Sequence, residues 1–175
     1  QSILEVILFL SLHPKLILVT NKSVWNTPLF GAVIRYAGFV PFDDSSFLSQ
    51  IKKKTEQGYS VVIFPEGTRS LDNKIKSFYP GAFFISERLK LPITPTLLYG
   101  TGNTIHKSQM LYRKNGIIAI KFYQPISNED KTFGVDFKER TNTMLKYYQD
   151  EYQHFSKTYD ALNIDFFRQR LIGSF

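Results

Sequence analysis

The seven residues Phe64-Pro65-Glu66-Gly67-Thr68-Arg69-Ser70 carry the densest chemistry in this chain. Arg69 can fork onto a phosphate through two parallel hydrogen bonds. Thr68 and Ser70 add hydroxyl donors. Glu66 can accept from a substrate hydroxyl or orient the arginine, and Gly67 lets the backbone approach a ligand closely. The bland reading is a surface turn with a Glu–Arg pair, which would contribute little energetically. The chain has no cysteine, so disulfides, zinc–thiolate sites, iron–sulfur clusters and thiol nucleophiles are excluded together.

The segment needs a strand to aim it, and one precedes it directly. Ser60-Val-Val-Ile-Phe64 predicts a buried strand. In an α/β sheet ligands bind beyond the carboxyl ends of the strands, where this segment would stand. Upstream, Ser2 to Leu12 predicts a helix that is apolar nearly all round, stopped by His13-Pro14. Lys15 to Thr20 predicts an interior strand, and residues 28–36 a helix that Gly38 ends. Phe39 to Phe42 predicts a short strand, which Pro41 confines to an edge. Ser46 to Gln57 reads as a helix closed by Gly58. Downstream come a helix from Pro80 to Lys90, a strand at Leu91 to Leu98 and another at Ile117 to Phe122. This order predicts an α/β fold, a largely parallel central sheet flanked by helices. From about residue 132 to 170 the pattern becomes a long charged and aromatic helix, with Phe137, Leu145, Tyr148 and Tyr152 near helical spacing. The expected division is residues 1–130 as one domain and 131–175 as a C-terminal helical extension, or a linker to a further domain.

Size and composition agree with one globular domain. The chain has 175 residues, 43% hydrophobic and 21% charged, with aromatics at 15%. Its 22 basic against 15 acidic residues leave a net charge of +7, which favours anionic partners. The basic residues are scattered rather than striped and no nucleic-acid motif is present, so a nucleic-acid partner is not expected. The apolar stretch Ile3 to Leu12 contains Glu5 and is shorter than the roughly 20 residues a membrane span requires.

Phe64–Ser70 resembles, at all seven positions, the FPEGTRS block of the lysophospholipid and glycerol-phosphate acyltransferases, the family that acylates lysophosphatidic acid. Leu91-Pro92-Ile93-Thr94-Pro95 is similar to the family's V-P-I-x-P block, and Gly38 to Asp44 loosely to its G-x-x-F-I-x-R block. The resemblance covers roughly residues 1–125. It implies a catalytic histidine followed, five positions on, by an acidic residue. Gln-Ser-Ile-Leu-Glu is similar to the tail of that motif, with Glu5 in the acidic place and the histidine immediately before Gln1. On this reading the chain begins just after its catalytic base, and the 175 residues alone are expected to be inactive. The resemblance further implies direct attack of an acceptor hydroxyl on an acyl thioester, with no acyl-enzyme and no metal. Glu5 and Glu66 are then the expected catalytic side chains, with Gly67, Thr68, Arg69 and Ser70 on the substrate.

Three positions depart from the family pattern. Glu5 stands where the family has aspartate, Asp44 where the middle block has arginine, and Pro80 where the F-x-K-G block has lysine. Lys22, Lys74 or Lys76 could supply the missing positive charge near a phosphate. His13, His106 and His154 lack a carboxylate at the family spacing and read as structural or surface residues. The expected activity is transfer of a fatty acyl group from acyl-CoA or acyl carrier protein to a lysophospholipid or related hydroxyl acceptor, with no other cofactor. The expected setting is the cytoplasmic face of a membrane, with the chain peripheral or tethered by segments outside these residues. The competing reading is a non-catalytic lipid- or phosphate-binding module with the same fold.

Overall fold

The computed structural model describes residues 3–20, 40–41, 46–67, 74–101 and 117–172. The predicted helix at 28–36 lies outside them. Helix α1 (Ile3–Leu12) leads into strand β1 (Leu16–Thr20), followed by the short strand β2 (Val40–Pro41), helix α2 (Phe47–Glu56) and strand β3 (Ser60–Val62). Helix α3 (Gly81–Leu89), strands β4 (Thr96–Tyr99) and β5 (Ala119–Phe122), a 3₁₀ turn (Lys131–Phe133) and helix α4 (Phe137–Ile172) complete the order among the described residues.

Strands β2, β1 and β3 form a parallel sheet in that order, with Val19 opposite Val40 and Ile17 opposite Val61. Among the described strands Pro41 sits on an edge strand, a position that tolerates a residue without an N–H. Side chains of β1 alternate between two cores, as the two-residue period of a strand demands. Ile17 and Val19 pack with Phe47 and Ile51 of α2 and Ile85 of α3. Leu18 faces the opposite way, onto Val6 and Leu10 of α1. With helices on both faces the strands are apolar but for Thr20 and Ser60 at their ends, which is why the sequence shows continuous runs rather than alternation there. Phe9 meets Phe64 edge-to-face at 5.6 Å and ties α1 to the segment after β3.

Beyond α3 the pattern differs from a continuing parallel sheet. β4 and β5 form a separate antiparallel pair, Thr96 opposite Phe122 and Tyr99 opposite Ala119. The strand predicted at 91–98 is regular only from Thr96. Pro92 and Pro95 have no N–H to give, and an isolated antiparallel bridge between Ile93 and Ile126 takes the place of a ladder between them. Helix α4 packs on this pair and on α3. Phe155 is buried against Leu97 and Tyr99, the Tyr148 hydroxyl accepts from the Thr96 N–H at 3.0 Å, and Glu87 accepts from the N–H of Phe137 at 2.7 Å, satisfying a donor at the helix start.

Candidate active site

The segment after β3 folds back on itself. The Gly67 N–H reaches the Phe64 carbonyl at 3.3 Å, and the Tyr79 N–H donates to the Pro65 carbonyl at 2.7 Å. Gly67 has φ +67°, and a Cβ there would lie 2.5 Å from the Tyr79 ring. Backbone sign and space both select glycine, so Gly67 shapes the turn that presents Glu66. The predicted substrate residues Thr68, Arg69, Ser70 and Lys22, and the departure at Asp44, lie outside the described residues.

Glu66 is largely withdrawn from water. Burial first, and then the nearby charge of Glu5, push its carboxyl up from 4.5 to about 6. The structure therefore brings together two acids that stand 61 positions apart in the chain. Glu5 reaches the site from the first turn of α1, because α1 runs back along the sheet from the carboxyl ends of its strands. Its Oε1 accepts from the Thr101 hydroxyl at 2.9 Å. Thr101 is buried and follows β4 directly, in the zone beyond a strand's carboxyl end. Sequence reasoning missed it, because its contact with Glu5 spans 96 positions and leaves no local mark.

Both acids line a cavity of about 870 Å³, together with Gly67 and Thr101. Its wall carries apolar and aromatic side chains, including Phe9, Phe64, Phe83, Leu97, Met144 and Tyr148, beside polar ones such as His13, Lys74, Ser86 and Thr96. A cavity that joins carboxyl and hydroxyl groups to a broad apolar and aromatic surface suits a ligand with a polar head and a long apolar chain. Met144, Tyr148 and Tyr152 come from α4, so the C-terminal helix forms part of the wall. The phenol of Tyr152 is pushed up to about 12, by burial and then by the charge of Glu66. It stays a neutral O–H at physiological pH.

Residues 2–99 match the protein family described as Acyltransferase. The chain belongs to that family. Among relatives, the chloroplastic 1-acyl-sn-glycerol-3-phosphate acyltransferase of Brassica napus is 30% identical over 132 residues, covering 72% of this chain and 38% of its own length. The enzyme of the same name from Helicobacter pylori is 27% identical over 161 residues, covering 86% of this chain and 68% of its own. This chain thus spans well under half of its chloroplastic relatives. The crystal structure of the 1-acyl-sn-glycerophosphate acyltransferase of Thermotoga maritima superposes with a TM-score of 0.58 at 22% identity, over 78% of this chain and 56% of that one. The shared fold is the α/β architecture described above.

The remaining candidates of this acyltransferase-family chain divide cleanly. Lys74 lines the cavity, whereas Lys76 is not among its lining residues. Pro80, in place of the family lysine, is the residue from which α3 starts, at φ −73°. That is a backbone role suited to proline. His13 also lines the cavity, but at the far end of α1 from Glu5, roughly 12 Å along the axis for eight residues. Its Nδ1 accepts from the Lys15 N–H at 3.1 Å. His154 is exposed on α4, and His106 lies outside the described residues.

Proposed function

We propose that the protein containing this chain transfers a fatty acyl group from an acyl thioester to the free hydroxyl of a lysophospholipid, with 1-acylglycerol-3-phosphate as the leading acceptor. The observation that carries the reading is that Glu5 and Glu66 line one cavity whose wall also bears many apolar and aromatic side chains, with the charge of Glu5 felt at Glu66. The relatives' names support it.

In the proposed mechanism the histidine that the family resemblance implies, five positions ahead of Glu5, removes the proton from the acceptor hydroxyl. Glu5 accepts from the other imidazole N–H and stabilises the imidazolium, the logic of a serine-protease triad with the substrate hydroxyl in the place of serine. The alkoxide oxygen attacks the thioester carbonyl. Collapse of the tetrahedral adduct breaks the C–S bond, and the departing thiolate takes the proton from the imidazolium. Glu66, with its carboxyl titrating near 6, holds the acceptor by hydrogen bonding, and Arg69 takes its phosphate. The apolar lumen takes an acyl chain.

The acyl donor is proposed as acyl-CoA or acyl carrier protein, and the setting as the cytoplasmic face of a membrane. Ile7 and Leu12 of α1 are 53% and 50% exposed, and the net charge is +7. Both features favour an anionic bilayer surface. Among the described residues no helix is long and apolar enough to cross a membrane.

The test is thioester consumption by the full-length protein with lysophosphatidate, run separately with acyl-CoA and with acyl carrier protein. Turnover that requires the lyso-lipid supports the reading. Tight lyso-lipid binding without turnover on either donor overturns it in favour of a non-catalytic binding module.

A further inference from the structure

We propose that Thr101 is a positioning residue, its buried hydroxyl fixing the carboxylate of Glu5 in the orientation that the catalytic base needs. The proposal rests on the reading of Glu5 as partner to that base. Three observations carry it. The Thr101 hydroxyl donates to Glu5 Oε1 at 2.9 Å across 96 positions of sequence. Thr101 is only 7% exposed, so water competes poorly for that hydrogen bond. The backbone that delivers Thr101 is tightly set: Gly100 has φ +90°, and a Cβ on it would come within 2.0 Å of the Ile117 carbonyl oxygen. The antiparallel pairing of Tyr99 with Ala119 holds the strand end just before it.

The chemistry gives the contact a purpose. Glutamate carries one more rotatable bond than the aspartate of the family pattern. Its carboxylate therefore has more freedom to lose before it can hold an imidazole N–H in line. A hydroxyl fixed by a separate strand removes that freedom from one oxygen. Thr101 would thus offset the departure at Glu5, acting on the base only through Glu5.

The experiment uses the full-length enzyme and steady-state thioester consumption with lysophosphatidate. Activity is normalised to the folded fraction from a thermal melt. Thr101→Val, which keeps the shape and removes the hydroxyl, should lower kcat roughly 10- to 100-fold, the scale of losing a hydrogen bond to a charged group. The KM values for thioester and acceptor should stay within about twofold, because in this proposal the hydroxyl acts on the base through Glu5 and not on either substrate. Thr101→Ser should restore most of kcat. In a Glu5→Gln background, Thr101→Val should add little further loss, since the two residues act as one unit.

Full kcat in Thr101→Val while Glu5→Gln is crippled overturns the Thr101 role alone. A loss of turnover that merely follows loss of folded protein, or that Thr101→Ser fails to rescue, also overturns it. An enzyme indifferent to Glu5→Gln overturns the Glu5 reading, and the proposal with it.

Discussion

Glu66, on the turn after β3, and Glu151, on α4, are two acids of one chain that are displaced in opposite directions. Burial and the neighbouring Glu5 raise the first to about 6. The second is lowered, chiefly by the Tyr123 hydroxyl that donates to it at 2.6 Å and then by Lys121 at 3.4 Å. Around Glu151 the helix seam is a run of satisfied polar contacts between aromatic rings: Tyr99 donates to Asp160, and Tyr123 meets Tyr147 edge-to-face at 5.7 Å. The seam holds parts together. The turn gathers like charge in a sheltered place, an arrangement that opposes folding locally and that enzymes use to tune acids and bases. The same residue type therefore does different work, and the environment decides which.

The largest effect should come from breaking the site side of this contrast. Glu5→Gln in the full-length enzyme should lower turnover on the order of 10²–10⁴-fold. A neutral amide cannot stabilise an imidazolium and can hold the wrong tautomer. The melting temperature should change little. Unchanged turnover with a lowered melting temperature would reduce Glu5 to a helix-terminus charge interacting with the α1 dipole.

Gly67→Ala attacks the geometry of the turn instead of its charge. The left-handed backbone at φ +67° costs a residue with a Cβ about 1–2 kcal/mol, and the contact with Tyr79 adds to that. Tyr79 is 63% exposed, so its ring can swing away. Gly67→Ala with Tyr79→Ala should therefore recover the steric part of the loss in a denaturant melt and leave the backbone part. Full recovery by the double substitution would show that only space, and not backbone sign, selects glycine here.

How far the site was legible follows from these same residues. Glu66 and Gly67 were readable because their chemistry is local: a strand, a turn and a charged pair within a few positions. The helices α1, α2 and α3 were readable because their stop signals, His13-Pro14, Gly58 and the start at Pro80, lie beside them in the chain. Thr101 was not readable, since it meets Glu5 only after the sheet folds α1 back across it. Nor was the part α4 plays in the cavity. Tyr148 and Tyr152 have the spacing of a packed helix whether they face a core or a lumen. The antiparallel turn of β4 onto β5 was hidden because a run rich in branched residues carries no mark of its partner's direction.

Glu66→Gln should expose the local cost of the turn. A carboxyl raised in the folded state binds its proton more tightly there than in the unfolded chain. Its stabilising contribution is complete below the ordinary value of 4.5 and lost as pH rises through about 6. The wild type should therefore lose up to about 2 kcal/mol across that window from this group. Glu66→Gln, which has nothing to titrate, should lack that component. Denaturant melts at pH 4.5, 6 and 7.5 on both proteins measure the difference. Parallel pH curves for the two would mean that Glu66 is not strained by its surroundings.

The smallest effect should come from Glu151→Gln, and its sign should be opposite. Glu151 has its carboxyl lowered in the folded state, so it stabilises above 4.5 and that contribution fades as pH falls through the lower folded value. Its pair with Lys121 is largely open to water, with side chains 47% and 33% exposed for Lys121 and Glu151. Solvent screening therefore limits the loss in Glu151→Gln to a few tenths of a kcal/mol at pH 7. The Tyr123 hydroxyl can still donate to the amide oxygen of the glutamine, which reduces the loss further. Because Glu151 stands outside the cavity lining, turnover should match that of the wild type at every pH. The pairing of outcomes is the sharp test: Glu66→Gln gains stability relative to wild type as pH rises from 4.5 to 7.5, while Glu151→Gln loses a little or nothing. If Glu151→Gln instead cut turnover severalfold with its stability intact, the seam would be coupled to the site through α4. The division between a region that holds and a region that acts would then fail.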